Sequence, residues 1–445
     1  MSFEQIKEIL FAAAVRAGLK EYDVYCAFSD SESAEALNGA LNSCSSDTSG
    51  GVCFRCVHDG KLGSASTESL QKEELEALVG RAMENAAVTD ADDAPIFYTP
   101  RAEDTYNTVA VEVPALPGVA CLRRTVMELQ KKLYAASPLM TDGTTSAAGA
   151  SHGRVALANS KGLSLSRESG AVYTYVEPIV NDGKEPSFGS AMAYVLNTDT
   201  DIVEKATGEA LARLGAGLVK TGKYDVIFDA KRTRALLSTF SGIFSGKAAR
   251  LGLSLLAGKE GEQIAAKCVT ILDDPFYKDN PMQCAFDAEG VPTSVKTLVD
   301  GGVLKTLLYD LTNAQKMGVA STGNAARGYA SPVSISPYCL RIAPGKESPE
   351  AMRRRMKDGL YITELKGLHA GADAVTGDFS IESAGFWVEN GEITAPVHSF
   401  TVAGNFFDLL QHIDGVADNV EMGMPGTSTL AAPDIMVRGL AVAGE

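Results

Sequence analysis

Residues 376–393 read TGDFSIESAGFWVENGEI, and this stretch decides the fold of the C-terminal half of the chain. Asn390-Gly391 is the residue pair most typical of a type I′ hairpin turn, because both positions need a positive φ. The apolar run before the turn holds Trp387, the one tryptophan of the sequence, and it predicts a strand. We therefore expect an antiparallel pair of strands that meet at this turn.

The same pattern continues over residues 223–445. Short apolar runs, such as 299–308 and 435–442, alternate with glycine, proline, asparagine and aspartate. Such spacing is typical of a mostly antiparallel β domain, either a sandwich or a barrel. The other elements expected in this domain are a strand at 224–229 and helices at 232–244 and 405–413.

An α/β domain is predicted for residues 1–95, in the order helix, strand, hairpin, helix. Ser2 and Gln5 have the spacing of a capping box at the start of the first helix. A strand is expected at 22–28, and a hairpin over 51–66 that turns at Asp59-Gly60. The polar, small-residue stretch between them predicts no regular element.

Residues 96–116 are predicted to be an extended linker, since the surrounding sequence is acidic and rich in proline. A middle α+β domain follows at 117–222. The elements expected in it are helices at 119–136 and 203–214 and strands at 146–151, 154–158, 163–167 and 170–177. The fold class is therefore α+β, with N-terminal α/β layers before a mostly antiparallel C-terminal domain.

Composition excludes several classes of protein. The 445 residues are 45% hydrophobic and 22% charged, which is typical of globular chains with two or three domains. The formal net charge of -16 argues against a nucleic-acid partner. No run of about 20 apolar residues predicts a membrane span. The eight cysteines are too sparse for a disulfide scaffold, and together with the absence of a signal-peptide pattern at the start they predict a cytoplasmic location.

Metal-ligand patterns are weak. Cys53 and Cys56 form one CxxC motif with His58 nearby, but a structural zinc site needs about four ligands. On a strand, positions three apart face opposite sides, so the two thiols are expected to diverge. The five histidines are scattered, and none belongs to an HExxH or HExxxH motif. We therefore predict neither a metal site nor a catalytic residue in this chain.

Three motifs remain as candidate binding elements or turns. Asp287 and Glu289 in FDAEGVPT form either a paired acid site or a charged turn, and we favour the turn. Residues 321–324, STGN, form either a tight turn or an anion-binding loop, and Asn324 is retained as a candidate substrate-binding residue. The hairpin that holds Trp387 lines either a peptide-binding groove or the core.

The TGDFS motif supplies the other candidate substrate-binding residues: Thr376, Gly377, Asp378, Phe379 and Ser380. The small residues would let a peptide backbone approach closely. Phe379 and Trp387 would offer apolar surface to varied side chains, and Asp378 would accept a hydrogen bond from an N–H group. The alternative is that the motif is a structural turn.

The sequence resembles the TldD/PmbA family along nearly its whole length. The motifs that carry the resemblance are FDAEGVPTS at 286–294, LVDGGVLKTLLYDLTNAQKMGVASTGNAAR at 298–327, TGDFS, GFWVENGEI, FTVAGN at 400–405 and APDI at 432–435. The resemblance implies a two-subunit system. A TldD-type subunit carries zinc on an HExxxH helix and a cysteine near the C-terminus, whereas a PmbA-type subunit, also called TldE, lacks these ligands.

This chain resembles the PmbA side of the family. Residues 231–252, at the position of the zinc helix, contain neither His nor Glu, and no cysteine follows Cys339. The resemblance therefore implies a non-catalytic subunit of a heterodimeric zinc peptidase that acts on unfolded peptides or peptide precursors, with zinc in the TldD-type partner. Two alternatives remain: a homodimeric binding or regulatory protein of the gyrase-modulator type, or an active metallopeptidase.

Overall fold

The computed structural model describes residues 1–89, 96–109, 111–199, 201–426 and 428–445. Within these ranges the helices are α1 (Phe3–Arg16), α2 (Lys72–Ala86), α3 (Val119–Ala136), α4 (Ile202–Ala212), α5 (Ala230–Phe240), α6 (Gly246–Arg250), α7 (Leu311–Met317), α8 (Pro349–Met356), α9 (Leu368–Gly371) and α10 (Phe406–Gln411).

The strands of the first 220 residues are β1 (Tyr22–Leu37), β2 (Ala40–His58), β3 (Lys61–Thr67), β4 (Thr145–Asn159), β5 (Ser164–Glu177), β6 (Ile179–Asn181), β7 (Pro186–Phe188) and β8 (Ala191–Ala193). Those that follow are β9 (Gly222–Phe228), β10 (Ile271–Asp273), β11 (Lys296–Asp300), β12 (Val303–Leu304), β13 (Ala325–Ala326), β14 (Ser334–Ile335), β15 (Cys339–Ile342), β16 (Gly359–Lys366), β17 (Asp378–Glu389), β18 (Glu392–Asn405), β19 (Ile413–Val416), β20 (Glu421–Met422), β21 (Thr429–Ala432) and β22 (Ile435–Ala443).

One antiparallel sheet joins the first two predicted domains. Its strand order is β3-β2-β1-β4-β5-β8, so strands from residues 22–67 and 145–193 lie side by side. Helices α1 and α2 cover one face through an apolar cluster that includes Leu10, Phe54 and Leu78. The sheet is thus a single layer built from two separate stretches of the chain.

The strand predicted at 22–28 is present but longer than expected, and the polar stretch after it, where no element was predicted, is also strand. Strand β1 continues to Leu37, turns at Asn38-Gly39 with φ of 53° and 78°, and returns as β2. The small polar residues of this stretch carry no hydrophobic signal. They form strand because β1 is hydrogen-bonded on both sides, to β2 and to β4. The predicted hairpin turn at Asp59-Gly60 is confirmed.

The middle domain has two long strands, β4 and β5, in place of the four short strands that were predicted. Strand β4 runs through residues 152–153 and β5 runs through residues 168–169, where breaks were expected. Gly170 lies close to β4 because it lacks a Cβ, which would press against the carbonyl oxygen of Ser151. The helices predicted at 119–136 and 203–214 are α3 and α4.

The described residues of the predicted linker form neither helix nor strand. They are nevertheless anchored, since the Tyr98 hydroxyl donates to Asp104 Oδ1 at 2.7 Å and Asn159 Nδ2 donates to the Tyr98 carbonyl at 2.7 Å. The Tyr106 hydroxyl donates to the carbonyl of Gly290 at 2.9 Å and ties the linker to the C-terminal half. The acidic residues 90–95, at the end of the first predicted domain, lie outside the described residues.

The C-terminal half contains a closed barrel, which decides between the two predicted architectures. Strands β9, β16, β17, β18 and β22 form a ring, with β18 paired to β22 and β19 added at β22. Only the β9–β16 pair of this ring is parallel. A second sheet, in the order β12-β11-β10-β15-β21-β20, lies beside it. The α+β fold with a mostly antiparallel C-terminal part is confirmed.

The core of this half lies between the barrel and α5. Phe228, Phe240 and Phe400 are fully buried in one apolar cluster. Helix α5 is shorter than the predicted 232–244, because the chain tightens into a 3-10 turn at Ser241–Phe244. The turn at Asn390-Gly391 has φ of 52° and 85°, as a type I′ hairpin requires. No helix of the described chain is long and apolar enough to cross a bilayer.

Candidate functional site

The TGDFS motif forms the turn that starts β17. Gly377 has a φ of 83°, and its carbonyl accepts a hydrogen bond from the Phe406 N–H at 2.7 Å. Asn405 Nδ2 donates to the Thr376 carbonyl at 2.8 Å and to Asp378 Oδ1 at 2.9 Å. The turn is therefore held by the FTVAGN motif, and the side chains of Asp378 and Ser380 stay exposed.

The two aromatic candidates are not neighbours. Phe379 is buried in the barrel core, with its ring centroid 6.4 Å from that of Phe240. Trp387 is half-buried near the other end of β17 and packs edge-on against Tyr224 at 5.4 Å. Eight residues of strand separate them, which is about 26 Å. The structure thus brings Thr376–Ser380 together and leaves Trp387 apart.

Asn324 lies in a buried polar network, away from TGDFS in the chain. Its Nδ2 donates to Asp273 Oδ2 at 2.7 Å and to the Ser336 carbonyl at 3.0 Å, and its Oδ1 accepts from Thr322 at 2.8 Å. Asp273 is also paired with Lys296. Because its side chain is fully buried and fully bonded, Asn324 stabilises the segment that follows α7 in this structure. Peptide binding by these seven residues stays a prediction.

The acid pair Asp287 and Glu289 forms a turn, as we favoured, but a buried one. Asp287 Oδ1 accepts from the N–H groups of Glu289 and Val291, and Oδ2 accepts from that of Ala325. Burial raises the pKa of both carboxyls, and the Asp287 charge raises the pKa of Glu289 further. Glu289 Oε2 accepts from the Leu311 N–H at 2.9 Å and lines a cavity.

Sequence reasoning missed a buried ionic cluster near this turn. Asp23 of β1 pairs with Arg55 of β2, with Nε and Nη2 at 3.1 and 2.5 Å from its two oxygens. Arg327 Nη2 donates to Asp23 Oδ2 at 2.8 Å from the C-terminal half. Burial alone would raise the pKa of Asp23, but Arg327 and Arg55 outweigh it and lower that pKa. The one sequence signal was an acid inside an apolar strand.

Two cavities lie at this junction, on either side of Tyr329. One, of about 750 Å³, is lined by Arg55, Glu289 and residues of α2, α6 and α7. The other, of about 600 Å³, is floored by the first sheet and includes Arg327. The Tyr329 ring packs on Gly51, and its hydroxyl donates to Glu68 Oε1 at 2.5 Å. Both cavities combine charged groups with apolar walls, as binding sites do.

The possible metal ligands of the described residues do not fit a zinc ion. Among the described residues no group of three or more His, Cys, Asp or Glu side chains is placed to hold a metal. Cys53 and Cys56 diverge as expected, since Cys56 packs with the α1–α2 cluster and Cys53 with a cluster on the opposite face. We therefore derive no metal-dependent step for this chain.

Family models match most of the sequence. The domain 1 model of the PmbA/TldA metallopeptidases matches residues 22–86, the central domain model matches 121–214, and the C-terminal domain model matches 221–444. The chain belongs to the PmbA/TldD family.

Relatives within the PmbA/TldD family are distant in sequence and close in fold. Metalloprotease PmbA of Escherichia coli O157:H7 is 32% identical over 235 residues, 53% of this chain and 49% of that protein. A metalloprotease of Methanothermobacter thermautotrophicus is 28% identical over 60% of this chain and 61% of its own length. The alignments thus span about half to three fifths of the curated relatives.

Solved structures match the whole chain. A putative modulator of a DNA gyrase from Thermotoga maritima is 29% identical, with a TM-score of 0.90 over 99% of this chain and 100% of the other. TldE from Thermococcus kodakarensis is 25% identical, with a TM-score of 0.84 over 99% of this chain and 100% of that one. The three-part architecture of this PmbA/TldD member is therefore shared with a TldE.

The APDI motif of this PmbA/TldD member supports helix α5. Asp434 Oδ1 accepts from the Ala230 N–H at 2.8 Å and from Asn419 Nδ2 at 2.8 Å, and the Tyr361 hydroxyl donates to Oδ2 at 3.0 Å. Burial raises the pKa of Asp434 to about 6. Asp229 caps the same helix, so α5 is anchored where it opens the C-terminal domain.

Proposed function

We propose that this chain is a PmbA/TldE-type, non-catalytic subunit of a cytoplasmic heterodimeric zinc metalloprotease that degrades or processes unfolded peptides and peptide precursors. The zinc and its activated water would belong to a TldD-type partner. This chain would form part of the wall of a cavity between the two subunits and hold an extended peptide there. A peptidase chain would otherwise need its own ligands and a general base beside the metal.

The observation that carries the proposal is the residue content of α5. Its inward face is apolar, with Leu236, Leu237 and Phe240 buried in the core. Its outward residues include Lys231 and Arg232, whose ammonium and guanidinium groups lie 3.0 and 3.8 Å from Glu209. Cations and apolar groups cannot coordinate zinc, so a helix at the position of the family's zinc helix has a supporting role here.

The relatives' names support the same proposal. Curated relatives are called metalloproteases, and a structural relative is called TldE. The exposed Asp378 and Ser380, at the barrel end where β17 begins, are proposed to hydrogen-bond to the peptide backbone through their side chains. Trp387 and Asn324 are proposed to act on substrate only through the shape of the domain, since both are engaged in internal packing or hydrogen bonds.

The test is co-expression with an HExxxH paralogue from the same genome. We expect a stable complex that contains zinc and cleaves unstructured peptides, whereas either chain alone is inactive. This chain alone should hold far less than one zinc per protein after dialysis against chelator. The proposal would be contradicted if the isolated chain bound zinc and cleaved peptides, or if it formed a homodimer that did not bind the paralogue.

A variant arm tests the peptide-binding segment. Asp378→Ala removes an exposed carboxylate and should raise the KM for peptides several-fold while assembly stays unchanged and the melting temperature falls only slightly, through loss of the hydrogen bond from Asn405. Glu382→Ala is the matched control, because it removes another exposed acid of β17. Equal kinetics for the two variants would remove Asp378 from the substrate site and leave the subunit assignment standing.

A further inference from the structure

The 600 Å³ cavity at the junction has an unusual charge for this protein. The chain carries a net charge of -16, yet no Asp or Glu lines this cavity, whereas Arg167 and Arg327 do. Seven serines also line it, together with three tyrosines. A cationic cavity in an acidic protein concentrates anions and repels the protein's own carboxylates.

Arg327 is a buried cation behind the wall of this cavity. Its side chain is 0% exposed, and only Nη2 is bonded, to Asp23. Nε and Nη1 are buried without a partner. The guanidinium lies over the Tyr25 ring with Cζ 4.3 Å from the centroid, which fixes its orientation. Because water does not reach these nitrogens, Arg327 acts on a ligand in the cavity through its positive charge and not through a direct hydrogen bond.

Arg167 is the second cation of the cavity. Its Nε is buried and unpartnered, and among the described residues no carboxylate forms an ion pair with it. Its Cζ lies 5.8 Å from the centroid of Phe286. The charge of Asp287 acts on it, but the Asp287 oxygens already accept three backbone hydrogen bonds. The charge of Arg167 is therefore available to a ligand.

The charge balance behind the cavity also leaves a positive excess. Asp23 is one carboxylate shared between Arg55 and Arg327. Glu289 adds no full charge to compensate, since burial favours its protonated form. Arg55, Arg167 and Arg327 stand against Asp23 and Asp287, so the cluster keeps one net positive charge beside the cavity. The partly exposed guanidinium of Arg167 suits a planar carboxylate.

The register of the first sheet orders the floor of the cavity in rows. Across β2, β1, β4 and β5, one row is Ser49, Ser29, Gly153 and Ser169, the next is Gly51, Ala27, Val155 and Arg167, and the third is Cys53, Tyr25, Leu157 and Leu165. The first of these rows is small and polar, the second ends in Arg167, and the third belongs to the apolar cluster that closes the junction. The Tyr329 ring on Gly51 closes one side.

We propose that this cavity binds the C-terminal carboxylate of a short peptide, with the Arg167 guanidinium as its hydrogen-bonding partner, the buried charge of Arg327 behind it and the serine row along the peptide backbone. A cavity closed behind the arginines by Tyr25 and Leu157 suits the end of a chain rather than its middle. The choice of a peptide rests on the proposed function. The volume of about 600 Å³ is within the range of small-ligand sites and admits only a few residues.

The test is calorimetric titration of the isolated full chain, which needs no catalytic partner. The probes are N-acetyl-trialanine acid, its C-terminal amide, acetyl-Ala-Glu-Ala amide and inorganic phosphate. We expect the acid to bind and both amides to bind at least about tenfold more weakly, because the charge-assisted hydrogen bonds are lost. The inference would be overturned if the glutamate peptide bound as tightly as N-acetyl-trialanine acid, if phosphate bound more tightly than that acid, or if the acid did not bind.

The variants assign the effect to the cavity. Arg167→Gln should abolish the preference for acid over amide, and Arg167→Lys should retain part of it, with unchanged circular dichroism. Arg154→Gln is the control, since Arg154 lies on the opposite face of the adjacent β4 and already pairs with Asp30 at 2.6 Å. An unchanged preference in Arg167→Gln would overturn the assignment. If these binding tests fail but the reconstituted complex cleaves peptides, only the carboxylate site is contradicted and the proposed function stands.

Discussion

Buried carboxylates of this protein are in two opposite electrostatic states. Asp23 has a lowered pKa because Arg327 and Arg55 outweigh its burial, so it stays charged. Asp434 has a pKa raised to about 6, and Glu289 has a raised pKa, in both cases mainly because burial removes water. A group with a raised pKa in the folded state costs stability once the pH takes away its proton.

Glu289→Gln should therefore stabilise the protein more at pH 8 than at pH 5. The unfolded carboxyl titrates near pH 4.3, and the folded one titrates higher. Between these values the folded state holds more protons, so stability falls as the pH rises. The amide removes this penalty and still accepts from the Leu311 N–H. Urea unfolding at both pH values is the measurement.

The control for this substitution is Glu84→Gln, which changes an exposed carboxylate at the same cavity. It should alter the free energy of unfolding by less than about 0.5 kcal/mol at either pH. A Glu289→Gln variant that loses more stability at pH 8 than at pH 5 would show that the carboxylate is charged and favourable in the native state.

At the scale of elements, helix α2 approaches strand β3 through Gly63. A Cβ at this position would collide with the carbonyl oxygen of Ala82, which belongs to the helix backbone and has little freedom to shift. Gly63→Ala should lower the free energy of unfolding by about 1–3 kcal/mol, as overpacking does. Gly80→Ala in the same helix is the matched control. No atom of another residue lies within 4 Å of its added Cβ, so it should stabilise by about 1 kcal/mol.

Local sequence patterns predicted individual elements well, but they did not predict pairings between residues that are distant in the chain. The Ser2–Gln5 capping box and the turn at Asn390-Gly391 depend on neighbouring residues, so they were readable. The polar half of β1 was not, because its strand character comes from partners in β4, more than 100 residues later. The buried Asp23 cluster was missed for the same reason. Arg327 meets Asp23 across 304 residues, a pairing that no local pattern encodes.

At the scale of the whole molecule, the Asp23 cluster joins the first sheet to the C-terminal half. Asp23→Ala leaves two buried guanidinium groups without their carboxylate and should cost about 3–5 kcal/mol. Hydrogen exchange should rise on both sides of the junction, at β1 and at the Ala288 and Ala325 amides, because one cluster of side chains spans them. Exchange confined to β1 would contradict this coupling.

Asp30→Ala is the comparison for that experiment. Asp30 lies on the same strand and pairs with Arg154 at 2.6 Å, but both side chains are substantially accessible to water. Loss of such a pair should cost no more than about 1 kcal/mol and leave the exchange of the C-terminal half unchanged. The contrast separates a buried junction from a surface ion pair of similar geometry.

The barrel cannot close until its last strand has been synthesised. Strand β9 needs β22 as its antiparallel neighbour, and residues 229–434 are translated between them. Until the ribosome has released β22, one edge of β9 and one edge of β18 lack their partner. Unpaired edges recruit other strands, so the nascent half-barrel is exposed to aggregation and to chaperones. The first sheet, whose strands end by residue 193, has no such delay and can form while translation continues.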